Sequence, residues 1–106
     1  MDTISTKPEL RKHNYTTKIL DKDFITDNII VLTLENPGFE FTSGQHVIIS
    51  FEDDLYDREY SIYSSEDEKN IKLLIKIVED GYFTKKLLQT SIGTKLNLRG
   101  PHGTFC

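Results

Sequence analysis

Over residues 71–78 the chain alternates, with Ile71, Leu73, Ile75 and Ile77 in one set of positions and Lys72, Leu74, Lys76 and Val78 in the other. Successive side chains of a strand point to opposite faces, so a period of two predicts a strand with one buried and one wetter face. Other β-prone runs recur along the chain, each bounded by turn residues. Residues 15–20 form the first and end at Asp21. Residues 28–34 form the second and stop at Asn36-Pro37-Gly38, where Pro and Gly favour a turn. Residues 46–51 place Val47, Ile49 and Phe51 on one face, and residues 58–64 form a more polar run. Residues 95–99 alternate cleanly and run into the turn Gly100-Pro101-His102-Gly103.

Short strands spaced in this way predict an all-β barrel or sandwich. After Asp80-Gly81 the period changes, because Phe83, Leu87 and Leu88 recur at helical spacing and Gly93 provides a stop. One short helix is expected over residues 82–90. Six strands and one helix make a small barrel.

The 106 residues fit one compact domain, and the eleven aromatic side chains, five Tyr and six Phe, can furnish a modest core. Residues 1–14 mix Thr, Ser, Lys and Pro without an apolar period, so they bury too little to offset the entropy of ordering. The division expected is a flexible N-terminal arm over 1–14 and a barrel domain over 15–106.

A net charge of −4 argues against nucleic acid as a partner, since phosphate backbones require clustered Lys and Arg. The acidic run Glu52-Asp53-Asp54, with Asp57 and Glu59 close behind, reads as a solvated loop. The single cysteine, Cys106, cannot form an internal disulfide, and a reducing, cytoplasmic setting fits it. No stretch approaches a membrane span, and the first residues lack the pattern of a secretory signal, so neither membrane insertion nor export is expected. His13, His46 and His102 have no companions at metal-ligand spacing, and no metal site is expected.

Three segments carry chemistry. In Arg58-Glu59-Tyr60-Ser61, residues 58 and 60 project to one side of a strand. A guanidinium there can bind phosphate through paired donors, a phenol ring can stack on a planar heteroaromatic, and the adjacent hydroxyl can bond a ring nitrogen. The same residues also suit a plain strand in which Arg58 pairs with an acid such as Asp57.

In Gly81-Tyr82-Phe83-Thr84, a strand-to-helix junction, helix-start amides and the helix dipole attract phosphate. Thr84 adds a hydroxyl, and Lys85 and Lys86 add positive potential. Taken alone, this segment fits a plain capped helix with solvated lysines better than a phosphate site. Gly100-Pro101-His102-Gly103-Thr104-Phe105 predicts a tight, shaped loop, with no catalytic role for His102.

Taken in order, these segments resemble the FAD-binding domain of the ferredoxin-NADP reductase superfamily. Arg58-Glu59-Tyr60-Ser61 matches its Arg-x-Tyr-Ser motif, Gly81-Tyr82-Phe83-Thr84 its Gly-x-x-Ser/Thr motif, and Gly100-Pro101-His102-Gly103 its closing Gly-Pro-x-Gly turn. The resemblance implies a six-stranded antiparallel Greek-key barrel with one short helix.

It also implies a cofactor site made by Arg58, Glu59, Tyr60, Ser61, Gly81, Tyr82, Phe83 and Thr84. Arg58 would bind the FAD pyrophosphate, Tyr60 would pack on the isoalloxazine, and Ser61 would take the catalytic place near its reactive nitrogen. Tyr82, Phe83 and Thr84 would meet the pyrophosphate from the helix start. FAD is implied ahead of FMN because both phosphate-contacting motifs are present.

The implied activity is that of an NAD(P)H-dependent oxidoreductase passing electrons to a redox partner protein or small acceptor. The family's nicotinamide-nucleotide domain would begin soon after Phe105, so the NAD(P)H-binding domain or subunit is expected outside this chain. Two other functions fit a barrel of this kind: a riboflavin synthase-like barrel that holds a flavin-like ligand without hydride transfer, and a non-enzymatic interaction barrel. The first would have no use for the phosphate contacts of Arg58 and Gly81, and the acidic balance disfavours the second.

Overall fold

The computed structural model describes residues 14–38, 40–53, 56–77 and 81–102. Among them are six strands, β1 (Asn14–Thr26), β2 (Ile29–Leu34), β3 (His46–Phe51), β4 (Asp57–Ser61), β5 (Ile71–Lys76) and β6 (Lys95–His102), and one helix, α1 (Tyr82–Gln89). The strands form a single sheet in the order β4-β3-β6-β1-β2-β5, with every ladder antiparallel. The sheet curls until its edges meet just past β4. There Ile62 forms an isolated bridge with Leu73, and the Tyr63 N–H donates to the Lys72 carbonyl at 2.7 Å. With that contact, β3, β4 and β5 run as a meander and β6 returns beside β3, which is the Greek-key order.

Alternation sorts the side chains as the pattern predicts. Ile71, Leu73 and Ile75 of β5 are fully buried, as are Ile30, Leu32 and Leu34 of β2. Val47, Ile49 and Phe51 of β3 and Leu96 and Leu98 of β6 complete the barrel interior. Helix α1 lays Phe83 and Leu87, one turn apart, against this core, while Leu88 stays exposed.

Several boundaries differ from those expected. β1 does not end at Asp21. It continues to Thr26, pairing Asp21, Lys22, Asp23 and Phe24 with Thr33, Leu32, Val31 and Ile30 of β2, with register shifts between Ile19 and Asp21 and between Phe24 and Thr26. The charged residues read as a stop, yet their side chains need not enter the core, and the backbone bonds of β2 sustain the strand.

β6 does not turn at Gly100 either. It runs to His102, which stands opposite His46, through a cis Gly100–Pro101 peptide. Gly100 has φ +132°, and a Cβ there would lie 3.1 Å from the His46 carbonyl oxygen, so a glycine is required for the two strands to approach. β4 is shorter than expected, ending at Ser61, and β2 begins at Ile29. The expected arm lies outside the described residues apart from Asn14, which opens β1 opposite Arg99. Val78 and the segment from Gly103 to Cys106 also lie outside them.

Candidate functional site

Where the edges of the sheet meet, β5 leads into α1, and both predicted cofactor motifs arrive at one place. A pocket of about 250 Å³ is lined by Arg58 and Tyr60 of β4, Lys76 at the end of β5, and Gly81, Phe83 and Thr84 at the start of α1. Residues some twenty positions apart become neighbours because β4 and β5 close the barrel side by side.

Each lining residue is held by a different device. The ring of Tyr60 rests on that of Phe83, with centroids 6.1 Å apart, and Phe83 rests in turn on Phe51 at 5.1 Å. Phe83 is buried, so its side chain forms the floor behind Tyr60. Burial pushes the Tyr60 phenol above its usual pKa, and the neighbouring Arg58 charge opposes the shift. The hydroxyl therefore remains neutral and able to donate at ordinary pH.

Gly81 stands at the N-cap in extended conformation with no side-chain cap. The buried Thr84 hydroxyl donates back to the Gly81 carbonyl at 3.3 Å. No acidic side chain occupies the first turn of the helix. The dipole there thus faces a pocket with cationic walls.

The charges settle an alternative raised by the sequence. Arg58 Nη1 donates to the Asp57 backbone carbonyl at 2.7 Å, while the Asp57 carboxylate pairs with Arg99 at 2.8 Å. Among the described residues, neither Arg58 nor Lys76 has a carboxylate partner. Two cations without a carboxylate partner among the described residues, beside a helix N-terminus, can attract an anion. A shelf of aromatic ring next to it adds a surface for a planar group.

The other predicted site residues lie elsewhere. Glu59 and Ser61 are exposed on the opposite face of β4, across from Ile48 and His46 of β3. Tyr82 is exposed on the outer side of α1, its ring 4.8 Å from that of Tyr56. Conversely, Lys76 was not among the residues picked from the sequence. Its signal is that it is the last cation on the wetter face of the alternating strand, five positions before Gly81. Among the described residues, no cluster of three or more His, Cys, Asp or Glu could hold a metal ion, and no helix is long and apolar enough to cross a membrane.

Comparison with known proteins bears on what this pocket is for. The chain is 34% identical over 95 residues to a ferredoxin-NADP reductase of Pseudomonas aeruginosa, covering 86% of this chain and 37% of that protein. It is 29% identical over 100 residues to methane monooxygenase component C of Methylosinus trichosporium, covering 87% of this chain and 29% of that protein. The chain thus spans between 29% and 37% of the length of these curated relatives.

A ferredoxin-NADP reductase of Neisseria gonorrhoeae, solved with bound FAD and NADP, superimposes with a TM-score of 0.79 at 21% identity, over 87% of this chain and 39% of that one. The Plasmodium falciparum ferredoxin-NADP reductase superimposes with a TM-score of 0.74 at 27% identity, over 90% and 40%. The family described as the oxidoreductase FAD-binding domain matches residues 16–106, nearly all of the chain. By this match, and with a Greek-key barrel that agrees with it, the chain belongs to the FAD-binding domain family of oxidoreductases.

Proposed function

We propose that this chain is the flavin-holding part of an NAD(P)H-dependent oxidoreductase, and that the pocket between β4 and α1 receives the pyrophosphate and inner flavin of FAD. The observation that carries this is the convergence of Arg58, Tyr60, Lys76, Gly81 and Thr84 around one cavity. A pyrophosphate carries two phosphoryl groups, and the pocket offers two cations and a helix start to meet them. This donor set suits FAD better than FMN, and far better than riboflavin.

When bound, FAD supplies the capacity to accept a hydride and release electrons, while the protein binds, aims and tunes it. Arg58 and Lys76 neutralise phosphate charge, and the Tyr60 ring, backed by Phe83, provides a rigid face for the isoalloxazine. Ser61 and Glu59 flank Tyr60 with their side chains on the other face of β4, so the Ser61 hydroxyl would meet only a flavin ring that extends past the strand, outside this pocket. An NAD(P)H-binding domain or subunit beyond these residues delivers reducing equivalents, and a redox protein or small acceptor receives them. The single cysteine suits a cytoplasmic home.

Titration of the purified chain with FAD and with riboflavin, followed by quenching of flavin fluorescence, tests this. FAD should bind at least about tenfold more tightly, the equivalent of 1.4 kcal/mol from phosphate contacts. Equal affinities, or no uptake of FAD, would overturn the assignment.

A further inference from the structure

Helix α1 spans eight residues, about 12 Å from end to end, and a helix this short is marginal in water without outside support. One end of it shapes the pocket. The other end is gripped by a residue from a distant strand. Lys22 lies in the continuation of β1 beyond the register shift after Ile19, and its ammonium reaches the final carbonyls of α1. Lys22 Nζ donates to the Leu87 carbonyl at 3.1 Å, to the Leu88 carbonyl at 3.4 Å and to the Thr90 carbonyl.

Carbonyls at a helix C-terminus lack intrahelical donors and carry the negative end of the dipole, so a lysine there satisfies bonds and charge together. The grip is partly buried, which spares it some of the screening that weakens surface pairs.

We propose that Lys22 is a positioning residue for the cofactor pocket. By clamping the C-terminus of α1 it holds the helix start, with Gly81 and Thr84, in the place where that start completes the phosphate site. The proposal rests on the assignment of the pocket to FAD. Leu87 and Phe83 fasten the helix laterally through the core, but neither constrains its last carbonyls. Lys86, whose ammonium lies 4.7 Å from the centre of the Phe51 ring, is tied to Asp53 at 2.7 Å, but Asp53 is largely exposed and the pair is therefore weak. Lys22 alone joins β1 to the end of the helix among the described hydrogen bonds.

The test compares wild-type chain with Lys22→Met, which keeps the aliphatic stem and removes the donors, and with Lys22→Arg, which keeps a cation. Affinity for FAD and for riboflavin is measured by fluorescence quenching, and amide hydrogen exchange is followed along α1 in the ligand-free chain. Lys22→Met should bind FAD about tenfold more weakly, while riboflavin affinity changes by less than about twofold. The Lys85 amide, which donates to the Gly81 carbonyl at 3.1 Å, should exchange faster with the barrel strands unaffected, and Lys22→Arg should restore most of both effects.

Unchanged FAD affinity, equal losses for both ligands, or unchanged exchange at the helix start would overturn the role of Lys22. A wild-type chain that takes up no FAD overturns the FAD assignment alone, and the exchange data then decide the link between Lys22 and the helix start. Should Lys22→Met fail to fold, Lys22→Gln replaces it, with the same outcomes deciding.

Discussion

The two ends of α1 are built on opposite plans. At the C-terminus the protein satisfies itself: Lys22 donates to the last carbonyls, the Thr90 N–H donates to the Leu87 carbonyl at 3.2 Å, and the Thr90 hydroxyl donates to the Lys86 carbonyl at 2.7 Å. At the N-terminus there is no side-chain cap and no acid in the first turn, and among the described residues the charged side chains lining the pocket, Arg58 and Lys76, are both cationic. A helix end designed only for stability would carry an Asp, Ser or Thr cap and acidic neighbours. Positive charge gathered at an already positive helix end costs stability unless an anion arrives. That contrast supports the proposal that the N-terminal end is where the ligand binds.

The comparison can be broken at either end or at the core that joins them. Phe83→Ala removes the buried ring that anchors the helix and backs Tyr60, and should cost about 3–5 kcal/mol in urea unfolding. A loss below about 1 kcal/mol would show that α1 is not fastened through this side chain.

Arg58→Ala acts at the open end alone. It should weaken FAD binding by about 1.5–3 kcal/mol through loss of charge-assisted bonds, with little change in unfolding midpoint or in riboflavin affinity. Calorimetric titration separates the two ligands, and equal losses would remove the guanidinium from phosphate binding.

Thr90→Val acts at the sealed end and should lower stability by about 0.5–1.5 kcal/mol, since one hydrogen bond to a helix carbonyl disappears. A comparable loss of FAD affinity without loss of stability would reverse the roles given to the two ends.

The smallest effect is alkaline. Tyr60 has a folded pKa raised by burial, so its contribution is complete below the unfolded value near 10 and is lost as pH rises through the folded value. The wild-type chain should therefore lose more stability than Tyr60→Phe between about pH 9 and pH 11. Identical losses, read from unfolding midpoints at each pH, would show Tyr60 to be as solvated in the folded chain as in the unfolded one.

Much of the architecture was legible residue by residue. The alternation through Ile71, Leu73 and Ile75 marked a strand, and all three positions are sealed in the core. The change of period at Gly81 located the helix to within one residue of its end. Legibility failed where pairing with a distant strand outweighed local character. Asp21, Lys22 and Asp23 look like the end of a strand, but β2 offers a complete ladder to their backbone. Gly100 and Pro101 look like a turn, but β3 receives His102 beyond them.

At the candidate site, Arg58, Tyr60, Gly81, Phe83 and Thr84 of the two motifs line one pocket, while Glu59, Ser61 and Tyr82 lie outside it. Lys76 could not be chosen from among the lysines by type alone, because its position depends on how the barrel closes.

What the amino-acid order determined by itself was local: which residues alternate, where the period changes, and which short segments offer a guanidinium, a phenol and a helix start. Those properties follow from side-chain geometry over a few residues, and they were sufficient to name a family. Only the tertiary structure decided that β4 and β5 adjoin, that Lys76 joins Arg58, and that Lys22 reaches across from β1 to the far end of α1. Contacts of that kind are settled by closure of the sheet around a shared core, a long-range event in which any one segment's preferences are a minor term.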